Sequence, residues 1–154
     1  MLYTFYQTIG ATLYPLLVLA LPLFERFAPH WQLARRLGSY QDTQNDQNDQ
    51  DDGQAGAGSK NKARLIWIHA ASVGEVQAAR ALISLLTAAL PDAEIFLSTM
   101  TRQGKAVAQS LLPAQVRCEL APLDIPRAVN SSLRLLRPSL YICLETELWP
   151  VMLT

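Results

Sequence analysis

The chain has 154 residues, half of them apolar, with 13 basic and 13 acidic side chains and a formal charge of zero. That length suits one domain with appendages, and the apolar share is enough for a real core. The charge balance excludes a nucleic-acid binder built on basic surface, and Cys118 and Cys143 stand alone in apolar surroundings. They read as core thiols of a reducing compartment, not as a disulfide or a metal pair.

The average charge hides a segregation. Residues 40–59 hold five Asp and no Lys or Arg, and the remainder carries 13 basic against 8 acidic side chains, a net +5. This modest excess fits anionic ligands or a membrane surface.

Residues 1–24 carry no charged side chain, and 9–24 are almost wholly apolar. About 20 such residues span a bilayer as a helix, so the stretch is expected to be an uncleaved anchor. Tyr3, Tyr6 and Tyr14 suit an interface, and Pro15 is a kink that membrane helices tolerate. An interfacial helix is the alternative. A cleaved signal peptide fits worse, since no basic residue precedes the apolar run. Arg26, Arg35 and Arg36 follow against Glu25 alone, which puts the rest of the chain on the cytoplasmic side. Residues 25–39 read as a basic juxtamembrane piece. Residues 40–61 have no large apolar residue after Tyr40 and are expected to be a disordered linker.

From residue 62 a domain is expected to run to the chain end, with strands and helices alternating. Strands are expected over 65–69, 94–99, 115–121 and 140–144, and helices over 76–90, 104–112 and from Pro126 through Leu136. Residues 145–150 read as a loop. The pattern predicts an α/β fold, a Rossmann-like parallel sheet covered on both faces. In such sheets ligands bind beyond the carboxyl ends of the strands. The unusual polar residues fall there: His69, Ser72 and Glu75 after the first strand, Thr99 and Thr101 after the second, Asp124 after the third, Glu145 and Glu147 after the fourth.

Each also has a plain structural role open to it. Ser72-x-x-Glu75 fits a capping box, Thr99 and Thr101 suit helix capping, and Asp124 suits an N-cap before Ile125-Pro126. His69 fits a satisfied strand-end histidine, and Trp149 fits packing. Glu145 and Glu147 alternate in an extended segment and so point oppositely. Glu75 and one of this pair would supply a base and a stabiliser of developing positive charge. The sequence has no dinucleotide fingerprint, no phosphate loop and no metal-ligand set, so no cofactor or metal is expected.

The segments His69-Ala70-Ala71-Ser72-Val73-Gly74-Glu75, Ser98-Thr99-Met100-Thr101, Pro122-Leu123-Asp124-Ile125-Pro126 and Glu145-Thr146-Glu147-Leu148-Trp149-Pro150 together resemble the N-terminal half of the 3-deoxy-D-manno-octulosonic acid (Kdo) transferases. The apolar N-terminus and Arg35-Arg36-Leu37-Gly38 are similar to that family as well. The resemblance implies a two-domain glycosyltransferase of the GT-B type at the bacterial inner membrane, with this chain as its acceptor-side half. It implies transfer of Kdo from CMP-Kdo to a lipid A precursor in lipopolysaccharide biosynthesis. It also implies Glu75 as proton acceptor and Glu145 as transition-state stabiliser, with Ser72, Gly74, Thr99, Thr101 and Glu147 binding substrate.

The sequence departs from the family pattern at Val151, where Asn is usual, and at Arg102-Gln103, where Pro-Thr is usual. The chain stops at Thr154, short of the domain that would bind CMP-Kdo, so by itself it is expected to be inactive. The rival expectation is a non-catalytic, membrane-tethered binding module on the same fold.

Overall fold

A computed structural model describes residues 2–27, 32–37, 64–144 and 150–152. The expected linker and the residues Glu145, Glu147 and Trp149 lie outside the described residues. The element order is α1 (Leu2–Phe27), α2 (Leu33–Arg36), β1 (Leu65–His69), α3 (Val73–Ala89), β2 (Glu94–Thr99), α4 (Arg102–Leu111), β3 (Arg117–Leu120), α5 (Pro126–Leu136) and β4 (Leu140–Cys143). The four strands are all parallel, in the order β3-β2-β1-β4. This is the first part of the strand order of a Rossmann fold, and the expected α/β parallel-sheet class holds.

The alternation of β1 builds two cores. Ile66 and Ile68 face α3 and α4, where they pack with Val76, Ala79, Ile83, Leu97 and Ala108. Leu65 and Trp67 face the other way, onto Phe96 and Leu136. Trp67 is fully buried, with Phe96 and Tyr141 edge-on to its ring at 5.6 and 5.4 Å. Both faces of β1 are therefore covered, which explains its unbroken apolar run. Helix α3 buries Val76, Ala79 and Ile83, as its spacing predicts. It starts three residues earlier than expected, because Ser72 caps it. Leu90, expected on its apolar face, is the C-cap residue and is exposed.

Helix α1 forms as expected over the uncharged run. Among the described residues, however, no helix is long and apolar enough to cross a membrane. The expected spanning anchor is therefore not supported.

Instead, α1 packs along α5. Gly10 is buried there, and a Cβ on it would meet Pro126 Cδ at 3.0 Å and Ile125 Cγ2 at 3.3 Å. One turn further on, the Arg127 guanidinium lies 5.4 Å from the centre of the Tyr14 ring.

The short helix α2 also meets the domain. Leu33 and Leu37 are buried, Arg35 pairs with Glu119 at 2.7 Å, and Arg36 Nε donates to Ala121 O at 3.1 Å. Arg35 and Arg36, expected in a membrane-surface segment, thus bind β3 and the turn after it.

Candidate functional site

In this strand order the chain steps outward from β1 through β2 to β3, then crosses back to lay β4 on the other side of β1. The crevice of an open α/β sheet lies at that switch point, beyond the carboxyl ends of β1 and β4. Four backbone bonds extend the sheet past the strand ends on this edge. Ala70 N donates to Ser98 O at 2.9 Å, Met100 N to Ala71 O at 3.3 Å, Ala121 N to Thr99 O at 2.8 Å, and Leu144 N to His69 O at 3.0 Å. The turns that carry the candidate residues are therefore held to one another.

The start of α3 is the best-defined part. Glu75 N donates to Ser72 Oγ at 3.3 Å, which makes Ser72 the N-cap. In return the Glu75 carboxylate accepts from Ser72 Oγ at 2.7 Å and from Ala71 N at 2.8 Å. The capping reading of Ser72 and Glu75 is thus realised, with Ala71 rather than Ser72 supplying the backbone N–H. Capping and chemistry do not exclude each other here. Each carboxylate oxygen has two lone-pair directions, and each of these bonds uses one. The carboxylate is half-buried and fixed in place, at a helix start whose N–H groups favour negative charge. Ser72 and Gly74 are exposed beside it, and a Cβ on Gly74 would meet nothing closer than Ser72 Oγ at 3.9 Å. The surface over this turn is open to a ligand.

The other predicted residues sit on the same edge with different tasks. Thr101 caps α4 through Gly104 N at 3.0 Å, and Thr99 Oγ1 donates to Thr101 O at 3.1 Å. Thr99 is fully buried, so its role in this structure is to shape the turn.

Asp124 was expected to cap α5, but Ile125 occupies the N-cap position and no side chain caps that helix. Pro126 at the helix start removes one N–H that would need a cap. The Asp124 carboxylate instead accepts from Val151 N at 3.3 Å and Met152 N at 3.1 Å. It thereby ties the turn after β3 to the segment after β4. Val151, which stands where the related pattern has Asn, is buried there. Leu144 is thus fixed to β1, and Val151 and Met152 to Asp124.

His69 is 2% exposed. Its Nδ1 lies 2.8 Å from Ser98 Oγ, and Trp67 Nε1 lies 2.7 Å from the same oxygen. Indole only donates, so Ser98 Oγ accepts from Trp67, and its bond with His69 Nδ1 runs in the direction the imidazole tautomer sets. Burial pushes the His69 pKa below its ordinary value of 6.5, against the opposing pulls of the Glu75 charge and of the Ser98 backbone. His69 is thus a buried, neutral strand-end residue.

The Trp67–Ser98–His69 chain was not anticipated from the sequence. A signal for it exists, since Trp67 and His69 share one face of β1 and both need a polar partner on β2. The parallel register puts Ser98 beside His69. Among the described residues no group of His, Cys, Asp and Glu is arranged to hold a metal ion.

The fold and its edge define a Rossmann-like α/β domain with an anchored carboxylate at the switch point. A family model described as 3-deoxy-D-manno-octulosonic-acid transferase (kdotransferase) matches residues 32–154. The chain belongs to this family, whose members are glycosyltransferases. It is 31% identical to the 3-deoxy-D-manno-octulosonic acid transferase of Rickettsia felis over 75% of this chain and 25% of that protein. It is 39% identical to that of Haemophilus influenzae over 55% of this chain and 20% of the relative. With the Bordetella pertussis enzyme it shares 32% identity over 80% of this chain and 29% of the relative. The chain thus spans at most about three tenths of the length of these relatives. No solved structure matches.

Proposed function

We propose that this chain is the acceptor-side part of a GT-B-type Kdo transferase, which moves Kdo from CMP-Kdo to a hydroxyl of a lipid A precursor. The observation that carries the reading is the Glu75 carboxylate, fixed by Ser72 Oγ and Ala71 N at the open switch point. The acceptor hydroxyl is a weak nucleophile. Glu75 takes its proton as the oxygen bonds to the anomeric carbon of Kdo, and the bond from that carbon to the phosphate breaks, with CMP leaving on its electron pair. Attack opposite the leaving group inverts the centre. The positive charge that develops on the sugar favours a nearby carboxylate, the role proposed for Glu145. Ser72, Gly74, Thr101 and Glu147 are the proposed substrate-binding neighbours, with buried Thr99 shaping the turn that carries Thr101. No metal or cofactor enters this scheme.

The reaction is placed at the cytoplasmic face of the bacterial inner membrane. Support comes from α1, on which Ile9, Leu13, Leu16, Leu23 and Phe27 are exposed. Their spacing puts them on one helical stripe, suited to lying in the interface.

The test joins the chain to the C-terminal domain of a family member and measures Kdo transfer from CMP-Kdo. Glu75→Gln keeps the capping geometry and removes the base. It is expected to lower turnover at least about a hundredfold, the scale of general-base loss, with little change in stability. A near-normal rate would overturn the catalytic role and leave the non-catalytic binding module as the better reading.

A further inference from the structure

Helix α2 meets the sheet domain through residues distant from it in sequence, and its two arginines have different tasks. Arg35 reaches β3, where it pairs with Glu119 at 2.7 Å, and Lys105 of α4 takes the other carboxylate oxygen at 2.5 Å. Arg36 reaches the carboxyl edge. Its Nε donates to Ala121 O at 3.1 Å, its Nη2 lies 3.9 Å from Met100 Sδ, and its backbone carbonyl accepts from Leu123 N at 2.8 Å. One residue thus touches the turn after β2 once and the turn after β3 twice. Buried Leu33 and Leu37 flank it and seat the helix. The chain enters α2 through Gln32 at a φ of 47°, in the left-handed region that a residue with a Cβ adopts at a cost. Such a conformation persists where the surrounding contacts over-determine it.

The Met100 turn leads on to the carboxylate. Met100 N donates to Ala71 O at 3.3 Å, and Ala71 N donates to Glu75 Oε2 at 2.8 Å. The first of these bonds is long for an amide and a carbonyl, so the place of the turn depends on what else holds Met100. Ala121 N donates to Thr99 O at 2.8 Å, so the two turns that Arg36 touches are also tied to each other. We infer that Arg36 is a positioning residue for the proposed transfer: by bridging the turns after β2 and β3 it fixes Met100 against Ala71, and so keeps the Glu75 carboxylate aligned with the acceptor hydroxyl. The inference rests on the reading of Glu75 as the base. A guanidinium suits the task, because its planar fork holds a carbonyl with one nitrogen and reaches a polarisable sulfur with another.

The test has two arms. In the 154-residue chain, amide exchange is read at Ala71 and Met100. In the chain joined to the C-terminal domain of a family member, Kdo transfer from CMP-Kdo is measured as kcat and KM. Arg36→Ala should speed exchange at both amides about tenfold, the scale of one hydrogen bond from a charged donor. It should lower kcat about tenfold, less than the hundredfold that a 1 Å misplacement can cost. KM for CMP-Kdo should stay unchanged, since in this reading the donor belongs to the other domain. Arg36→Lys can recover the Ala121 bond alone and should give an intermediate loss in both arms. Added guanidinium should restore part of the lost kcat in Arg36→Ala and none in Glu75→Gln. Arg35→Gln removes an ion pair whose arginine is 40% exposed and should leave both arms near wild type.

Unchanged exchange at both amides in Arg36→Ala would overturn the inference, and so would a kcat within about twofold of wild type, roughly the scatter of an uninvolved surface change. An equal loss in Arg35→Gln would mean general loosening of α2 and would overturn the assignment to Arg36. Failure of the underlying reading looks different, since Glu75→Gln would then also transfer Kdo at a near-normal rate, and the inference would fall with it.

Discussion

Asp124→Ala tests whether one carboxylate holds the segment that follows the Glu145–Trp149 stretch. The side chain is about nine-tenths buried and accepts from Val151 N and Met152 N at 3.3 and 3.1 Å. Hydrogen bonds to a charged group contribute about 1.5–3 kcal/mol each, and the longer one belongs at the bottom of that range. Together they hold the segment by about 3 kcal/mol, and burial of Val151 adds about 1.5 kcal/mol. Alanine removes only the bonds. The segment can respond by detaching, which returns about 1–2 kcal/mol of backbone entropy for each freed residue.

The global stability loss is therefore capped at about 1 kcal/mol, the free energy of local opening in the wild-type chain. The assay is amide hydrogen exchange, read at Val151 and Met152, beside a denaturant titration. Because opening then costs only about 1 kcal/mol in the wild-type chain, both amides should exchange about fivefold faster in the variant, which loses nearly all of that protection. Asn keeps neutral acceptors of roughly half the strength, so Asp124→Asn should lie between wild type and alanine. Unchanged exchange at both amides in Asp124→Ala would refute the reasoning, since the segment would then be held by something other than this carboxylate.

Other perturbations follow from the same geometry. Ser98→Ala leaves the buried Trp67 Nε1 and His69 Nδ1 without their shared partner, and equilibrium unfolding should show a loss of about 2–5 kcal/mol. Below 0.5 kcal/mol, roughly the scale of an uninvolved surface change, the relay would have no structural weight. The folded-state pKa of His69 lies below 6.5, so the unfolded chain binds this proton first as pH falls. Its stabilising contribution is present above pH 6.5 and declines as the pH drops toward the folded value, and a His69→Gln variant should show a flatter stability profile across that window. Gly10→Leu drives a side chain into Pro126 and Ile125, and proteolysis should then release α1 while the sheet domain stays folded. Burial pushes the Cys118 thiol up to about 11, and the side chain is covered, so iodoacetamide at pH 8 should label it only after unfolding.

Much of this architecture was legible in the chain because it rests on local patterns. The unbroken apolar strand at Leu65–His69, the helical spacing of Val76, Ala79 and Ile83, and the prolines and caps between elements each act within a few residues. They define a parallel α/β domain, and the position of Glu75, one turn into a helix after the first strand, follows from them directly. What lay beyond reach were contacts set by elements distant in sequence. Asp124 has the local look of an N-cap, and only the approach of Val151 and Met152 from across the sheet gives its carboxylate another pair of N–H groups. Arg35 and Arg36 read as membrane-facing in isolation, yet Glu119 and the Ala121 carbonyl come within bonding distance once β3 takes the sheet edge. Helix α1 shows the same division. Its uncharged run makes a helix by itself, but which face is covered depended on Gly10 meeting the start of α5. Local propensity acts through the backbone of one segment, whereas the partner of a polar side chain is whatever group the packed sheet brings next to it.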